Sequence, residues 1–370
     1  MRVIALIVRA GAVVVVAGFL FSLVVDGGDE PVVTAQSEPA PLDTTPPPKP
    51  TAAEPKARPG VVTIAATGDI VMGSAPNDGR SLFSGVQADL AGDVVLGNLE
   101  GTLSTGGDSA CGSGRADCKA FQTPPAYAGR LSDAGFTVMN LANDHADDFG
   151  ASGLEQTISA LAAVGLQHTG RPGQVTIQRV GQIRVALVGF SSYPWAASVT
   201  DVARAKRLVR QASRRADVVI VSMHAGAEGA DRQHVRPGTE RYRGENRGDV
   251  VRFAHGAVDA GADLVVGHGP RVLRGMEWYR GRLIAYSLGS LAAYKGGSLE
   301  GPLATSAVLR VILRGDGSFE TGRLVPTRLV GVGVPALDRT EAAHGVVREL
   351  SRDDFGARGV NVTPDGVITR

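Results

Sequence analysis

The stretch FTVMNLANDHADDFG, residues 136–150, opens as an apolar strand and then breaks into Asn143, Asp144, His145, Asp147 and Asp148. Asn and Asp gather in any surface loop, because both tolerate left-handed backbone and hydrogen-bond their own chain. What the stretch means therefore depends on how the other apolar runs end. VVTIAATGD ends at Asp69, DVVLGNLEG at Asn98 and Glu100, DVVIVSMHAG at His224, and DLVVGHGPR at His268. From Val61 onward short apolar runs alternate with helix-like stretches, the pattern of a layered α/β domain. In such sheets ligands bind outside the carboxyl ends of the strands, so side chains distant in sequence converge there.

One strand-end histidine is more often a hydrogen-bonded core residue than a ligand. Five strand ends carrying carboxylate, carboxamide and imidazole are a different case. They suit a divalent ion such as zinc, manganese or iron, and the lack of Cys among them argues against a structural zinc site. Two ions bridged by a carboxylate would activate a water for attack on a phosphoryl or acyl centre, so the spacing points to a metallohydrolase.

The chain of 370 residues is long enough for one large domain or two medium ones. Its 38 Lys and Arg against 37 Asp and Glu leave no basic excess of the kind that binds nucleic acid, which is set aside as a partner. At the N-terminus Arg2 and Arg9 precede an apolar run from Ala10 to Val25, a signature of export. Residues 1–25 are read as an uncleaved transmembrane anchor, with a cleaved signal peptide and a secreted body as the alternative. Arg before the run and Asp26, Asp29 and Glu30 after it put the body outside the cytoplasm, on a single-pass membrane protein. Residues 26–59 are rich in Pro, Thr, Ala and Glu and read as an extended linker. Cys111 and Cys118 are the two cysteines. In an exported protein they are expected to form a disulfide; a zinc half-site is the other reading, with no second Cys pair to complete it.

The polar segment EGADRQHVRPGTERYRGENRG, residues 228–248, is too long for a simple turn, and loops of this kind are often lids. Glu228 and His234 within it are candidates to face substrate. His168 and His255 read as packed or surface residues, His255 on an amphipathic helix. Residues 331–370 alternate polar and apolar positions and read as a C-terminal extension packed on the domain spanning residues 60–330.

At ATGDIVMG, GNLEG, NLANDHADDFG, SMHAGAEG and GADLVVGHGPRVLRGMEWYRGRLIAYSLGS the chain resembles the CapA family of poly-γ-glutamate capsule synthesis proteins, within the calcineurin-like metallophosphatase superfamily. The resemblance runs from about Val61 to Leu329. It implies a four-layer α/β sandwich with two facing β-sheets, and one or two divalent ions at the strand ends. It further implies Asp69, Glu100, Asp144, His224 and His268 as metal ligands, and His145 acting on the leaving group. Asn98 and Asn143 would orient the carboxylates. The partners implied are an anionic envelope polymer or its precursor and a membrane polymer synthase complex.

Three positions depart from the family pattern. Asp144 stands where relatives have Asn, Arg271 where they have His, and Ser290–Leu291 where they have Asn–Phe. The family's first motif also lacks the second histidine of ordinary metallophosphatases, the position of Val71. Arg271 has no lone pair to give a metal and is expected to hold an anionic substrate or pair with Asp144. The expectation is a metal-dependent hydrolase or transferase in capsule or envelope polymer synthesis. The alternative is a non-catalytic scaffold whose metal site has decayed.

Overall fold

A computed structural model describes residues 60–73, 76–112 and 118–295, and 298–370. The anchor and linker read at residues 1–25 and 26–59 lie outside the described residues. Among the described residues no helix is long and apolar enough to cross a membrane.

Two large sheets dominate. The first has eight strands, with Val334–Leu337, Phe319–Val330, Thr305–Arg314, Val61–Val71, Val94–Leu99, Val138–Asn140 and Gln167–Thr169 side by side, and Ser290–Ala293 paired onto Val61–Val71. The second has seven, with Met276–Tyr279, Arg282–Ala285, Leu264–His268, Val218–His224, Ile183–Ser191 and Thr176–Val180 in order, and Ala197–Ser198 on Ile183–Ser191. The central strands of each sheet are parallel, so their carboxyl ends leave at one edge. The helices are α1 (Ala128–Ala134), α2 (Gly150–Ala163), α3 (Val202–Ser213), α4 (Val250–Asp259) and α5 (Ala342–Phe355).

Strand periodicity explains the layering. A side-chain period of two sends alternate residues to opposite faces. Ile64 and Ala66 enter the core between the sheets, and Ala65 between them enters the core shared with α1 and α2. In the second sheet Val185 and Leu187 face inward, and Ala186 and Val188 pack under α3 and α4. Both faces of both sheets are therefore apolar, which is why the strands read as near-continuous runs of Val, Ile, Leu and Ala. The result is a four-layer α/β/β/α arrangement.

Residues 331–370 do more than lie on this body. Val334–Leu337 forms the edge strand of the first sheet, and Ala343, Val347, Val360, Val362 and Ile368 belong to the core between the sheets.

Candidate metal centre and arginine-rimmed cavity

Backbone register sets the floor of the site. Asp69 is level with Asn98, and Asn98 with Asn140, across three parallel strands of the first sheet. His224 is level with His268 in the second sheet. The two rows meet across the gap between the sheets: His268 Nδ1 lies 3.6 Å from Asp69 Oδ1, and Asn98 Nδ2 3.2 Å from His224 Nδ1. Asp69 itself stands two residues before its strand ends, where the register slips on both sides. That slip needs glycine. A Cβ on Gly68 would sit 2.0 Å from the Gly289 carbonyl oxygen, the atom to which the Asp69 N–H donates.

The floor is buried, with Asp69, Asn98, Glu100, His224 and His268 at most 2 % exposed. Asn98 donates to Asp69 Oδ1 at 2.9 Å and so orients that carboxylate. Yet Glu100 Oε1 and both ring nitrogens of His268 are buried without a hydrogen-bond partner, while Asp144 Oδ1 lies 3.0 Å from His224 Nε2. Native proteins rarely leave such groups unpaired, because each costs roughly 1–3 kcal/mol. Ligand atoms of Asp69, Glu100 and His224 all lie within 4.8 Å of one another, with His224 Nδ1 3.5 Å from Glu100 Oε1. Atoms at this separation match neighbouring ligands of one ion, since bonds of about 2.1 Å in tetrahedral geometry put donors roughly 3.4 Å apart. The donor set therefore fits a divalent cation.

The electrostatics agree. Burial, and then the charge of Asp69, push the Glu100 carboxyl well above the usual carboxylate range, and a divalent cation would reverse that push. Burial also opposes ionisation of Asp144, but His224, His145 and Arg247 outweigh it and hold the group well below its ordinary value. Burial lowers His268 below the ordinary imidazole value, leaving it neutral and able to ligate.

His145 stands at the mouth, 8 % exposed. Its backbone N–H donates to Asn143 Oδ1, an Asx turn that holds the loop. Its Nδ1 pairs with Asp148 Oδ2 at 2.9 Å, and its ring packs on Phe121. Burial lowers the imidazole pKa, but Asp144 and Asp148 outweigh it and the net shift is upward. Asn143 does not touch a carboxylate, contrary to the expectation from sequence. Its amide donates to Asn98 Oδ1 and to the Leu99 carbonyl, so it acts on the floor through Asn98.

The rim is built of guanidinium groups. Arg271 has a left-handed backbone, with φ of 63°, and pairs through Nε with Glu228 Oε2 at 3.0 Å, its NH2 3.4 Å from His145 Nε2. It does not pair with Asp144. Arg247 does, at 3.6 Å, and also reaches Glu228 Oε1 at 3.1 Å, His224 Nε2 at 3.0 Å and the Tyr193 hydroxyl at 2.9 Å. Its backbone is fixed on both sides by bonds to Glu240 and Gly226, just ahead of Asp249, which caps α4 by accepting from Arg252 N–H. Glu228 faces the cavity as expected, but bridges the two arginines. The Arg271–Glu228 pair stands between a cavity of about 530 Å³ holding Asp144, His145, Tyr193 and Arg247, and one of about 380 Å³ reaching Glu100, Ser290 and Lys295.

His234 is not in either cavity. Its Nδ1 pairs with Asp354 on α5 at 2.8 Å, and the Val235 N–H donates to the other oxygen of the same carboxylate, so this part of the long loop is tied to the body. Cys111 and Cys118 are joined as a disulfide, their Cα atoms 5.5 Å apart, and Cys118 lines the larger cavity. The sequence reading missed Arg247 and Tyr193. Arg247 lay inside the flagged loop, but nothing in a polar segment with four other arginines distinguishes it. Asp148 had a signal: it follows His145 by three residues, within reach across one turn.

The family model for bacterial capsule synthesis protein PGA_cap matches residues 63–295, which contain every floor residue. The PGA biosynthesis protein CapA of Bacillus subtilis is 28% identical over 337 residues, spanning 84% of this chain and 82% of that one. The capsule biosynthesis protein CapA of Bacillus anthracis is 30% identical over 243 residues, spanning 60% and 55%. Among solved structures, a phosphatase from Mycoplasma pneumoniae aligns at TM-score 0.45 and 13% identity, covering 73% of this chain and 94% of that one.

Proposed function

The chain belongs to the family of bacterial capsule synthesis proteins, and from that premise we propose that it works outside the cytoplasm as a metal-dependent hydrolase or transferase on an anionic envelope polymer or its precursor. The observation that carries this reading is the cluster of Asp69, Glu100 and His224 ligand atoms within 4.8 Å of one another, with Glu100 Oε1 and the His268 ring nitrogens buried and unpartnered. Those residues and Asp144 would hold the ion. Bound there, a divalent cation supplies Lewis-acid charge for attack by water or another nucleophile on a phosphoryl or acyl centre.

The chain's own side chains do the rest. Asp148 occupies Nδ1 of His145, which leaves Nε2, beside Asp144 and Arg271, as the atom from which a proton reaches a leaving group. The upward shift of His145 keeps that proton in place nearer to neutral pH. Arg271 and Arg247 hold the anionic substrate, Glu228 being displaced from one of them as it enters. The N-terminal segment tethers the body to the membrane; its basic-then-apolar order and the disulfide, which suits an oxidising compartment, support that placement.

A second reading has its own observation. Arg247 NH2 sits 3.0 Å from His224 Nε2 and the same guanidinium reaches Asp144, so a fixed cation already occupies one side of the ligand set. In that reading the guanidinium replaces an ion and the protein is a binding subunit of a polymer synthase complex. Elemental analysis of protein purified without chelator, coupled to a screen of phosphoester and γ-glutamyl substrates, separates the two. At least one ion per chain with turnover is expected. Less than a tenth of an ion, and no turnover after zinc or manganese is added, would establish the scaffold.

A further inference from the structure

Outside the strand-end site, α3 and its C-terminal cap carry a row of exposed arginines. Arg204, Arg207, Arg210 and Arg214 line a groove of about 490 Å³, and no Asp or Glu lines it with them. All four are exposed, and none has an ion pair among the described residues, whereas Lys206 on the same helix pairs with Asp259. This is a local excess on a chain whose total charge is +1.

Helix stabilisation does not account for the row. Arg210 and Arg214, at the C-terminal end, complement the helix dipole, but Arg204 stands in the first turn, where a cation is disfavoured. Spacings of three, three and four residues keep the four side chains on one side of the helix and place a charge roughly every 5 Å along it. Phe190 and Leu208 provide an apolar floor beneath them. A row of cations over an apolar floor suits a chain of regularly spaced carboxylates joined by methylene groups, whereas a membrane surface would call for a flat or convex face with exposed large apolar residues.

The groove's position gives it a role. The loop at residues 192–198 divides it from the catalytic cavity. Pro194, Ala196 and Ser198 face the groove, and Tyr193 and Trp195 face the cavity that holds Asp144, His145 and Arg247. Tyr193 is itself hydrogen-bonded to Arg247. We infer that the α3 groove is a second binding site, a track that holds the body of a polycarboxylate chain while one unit of it crosses the 192–198 loop into the strand-end cavity. This rests on the reading that the substrate is an anionic polymer, and it adds where the polymer lies.

The test uses the full chain and a fluorescently labelled poly-γ-glutamate, with binding followed by anisotropy at low and high salt. Arg207→Gln/Arg210→Gln is compared with Arg207→Lys/Arg210→Lys and with wild type. Exposed ion pairs are individually weak, so the Gln pair should bind roughly tenfold more weakly at low salt, with a shallower salt dependence. The Lys pair should stay within about threefold of wild type, because the charge is kept. Metal content and thermal midpoint should not change, since neither arginine touches the floor. Equal binding by wild type and the Gln pair overturns the groove and leaves the polymer reading standing. No binding by wild type overturns both. If the Gln pair instead loses binding to phosphatidylglycerol vesicles and keeps the polymer, the face is a membrane contact and the inference fails.

Discussion

The floor and the rim of the strand-end site lie a few ångströms apart and solve opposite problems. On the floor, Asp69, Glu100, His224 and His268 are fixed by strand register, and Glu100 and His268 keep buried polar atoms without a hydrogen-bond partner. On the rim, Arg247 and Arg271 are paired within the chain by Glu228, which bridges them, and by Asp144. Buried charge is tolerated only when it is paired or coordinates a metal. The floor has the composition of a site waiting on a cation from outside, and the rim has supplied its own. The difference shows that the two halves should respond in opposite senses to ions and to mutation.

The largest effect is expected on the rim. Arg247→Ala leaves Asp144 without its guanidinium partner and Glu228 with Arg271 alone, and breaking a buried pair costs about 3–5 kcal/mol. Denaturant unfolding without added metal should show that loss, and added zinc should restore part of it, because the ion then takes over from the arginine. Full stability in Arg247→Ala without metal would mean that the rim is not held by this network.

The floor should respond to ions directly. Zinc or manganese at a hundred times its dissociation constant should raise stability by about 2.7 kcal/mol, chelator should reverse it, and Glu100→Gln should abolish most of the gain. Calorimetric scans across a metal series measure this. A thermal midpoint indifferent to metal in the wild type would break the comparison at its centre.

A smaller change is expected from the disulfide that lines the larger cavity. Cys111→Ser/Cys118→Ser removes a short closed loop from the constraints on the unfolded chain, worth about 2 kcal/mol, without altering the metal response. If metal affinity falls as well, the disulfide loop supports the floor and not the rim alone.

The smallest and most diagnostic change is at Arg271. Arg271→His removes a fixed charge and offers a nitrogen, so divalent-ion affinity should rise by roughly tenfold while binding of anionic substrate weakens. Titration calorimetry on both forms reads the two arms separately. Unchanged metal and unchanged substrate binding would leave the Arg271–Glu228 pair as a purely structural tie.

The chain itself announced the layered α/β body and the residues of the floor, because both depend on local order. A strand buried on two faces must be apolar throughout, and a ligand at its end must follow that run directly, so Asn98, His224 and His268 could be found by reading forward from each apolar segment. The rim did not follow this rule. Arg247 and Glu228 come from one long polar loop and Arg271 from another, and no spacing predicts that they pair with one another and with the Asp144 turn. His234 shows the same limit, since Asp354 on α5 draws it away from the cavity. Sequence determined which side chains stand at the strand ends. Only the packing of one sheet against the other, and the path of the loops above them, decided which of those side chains meet and which are already paired, because Coulomb and hydrogen-bond energies depend on distances that the order of residues does not contain.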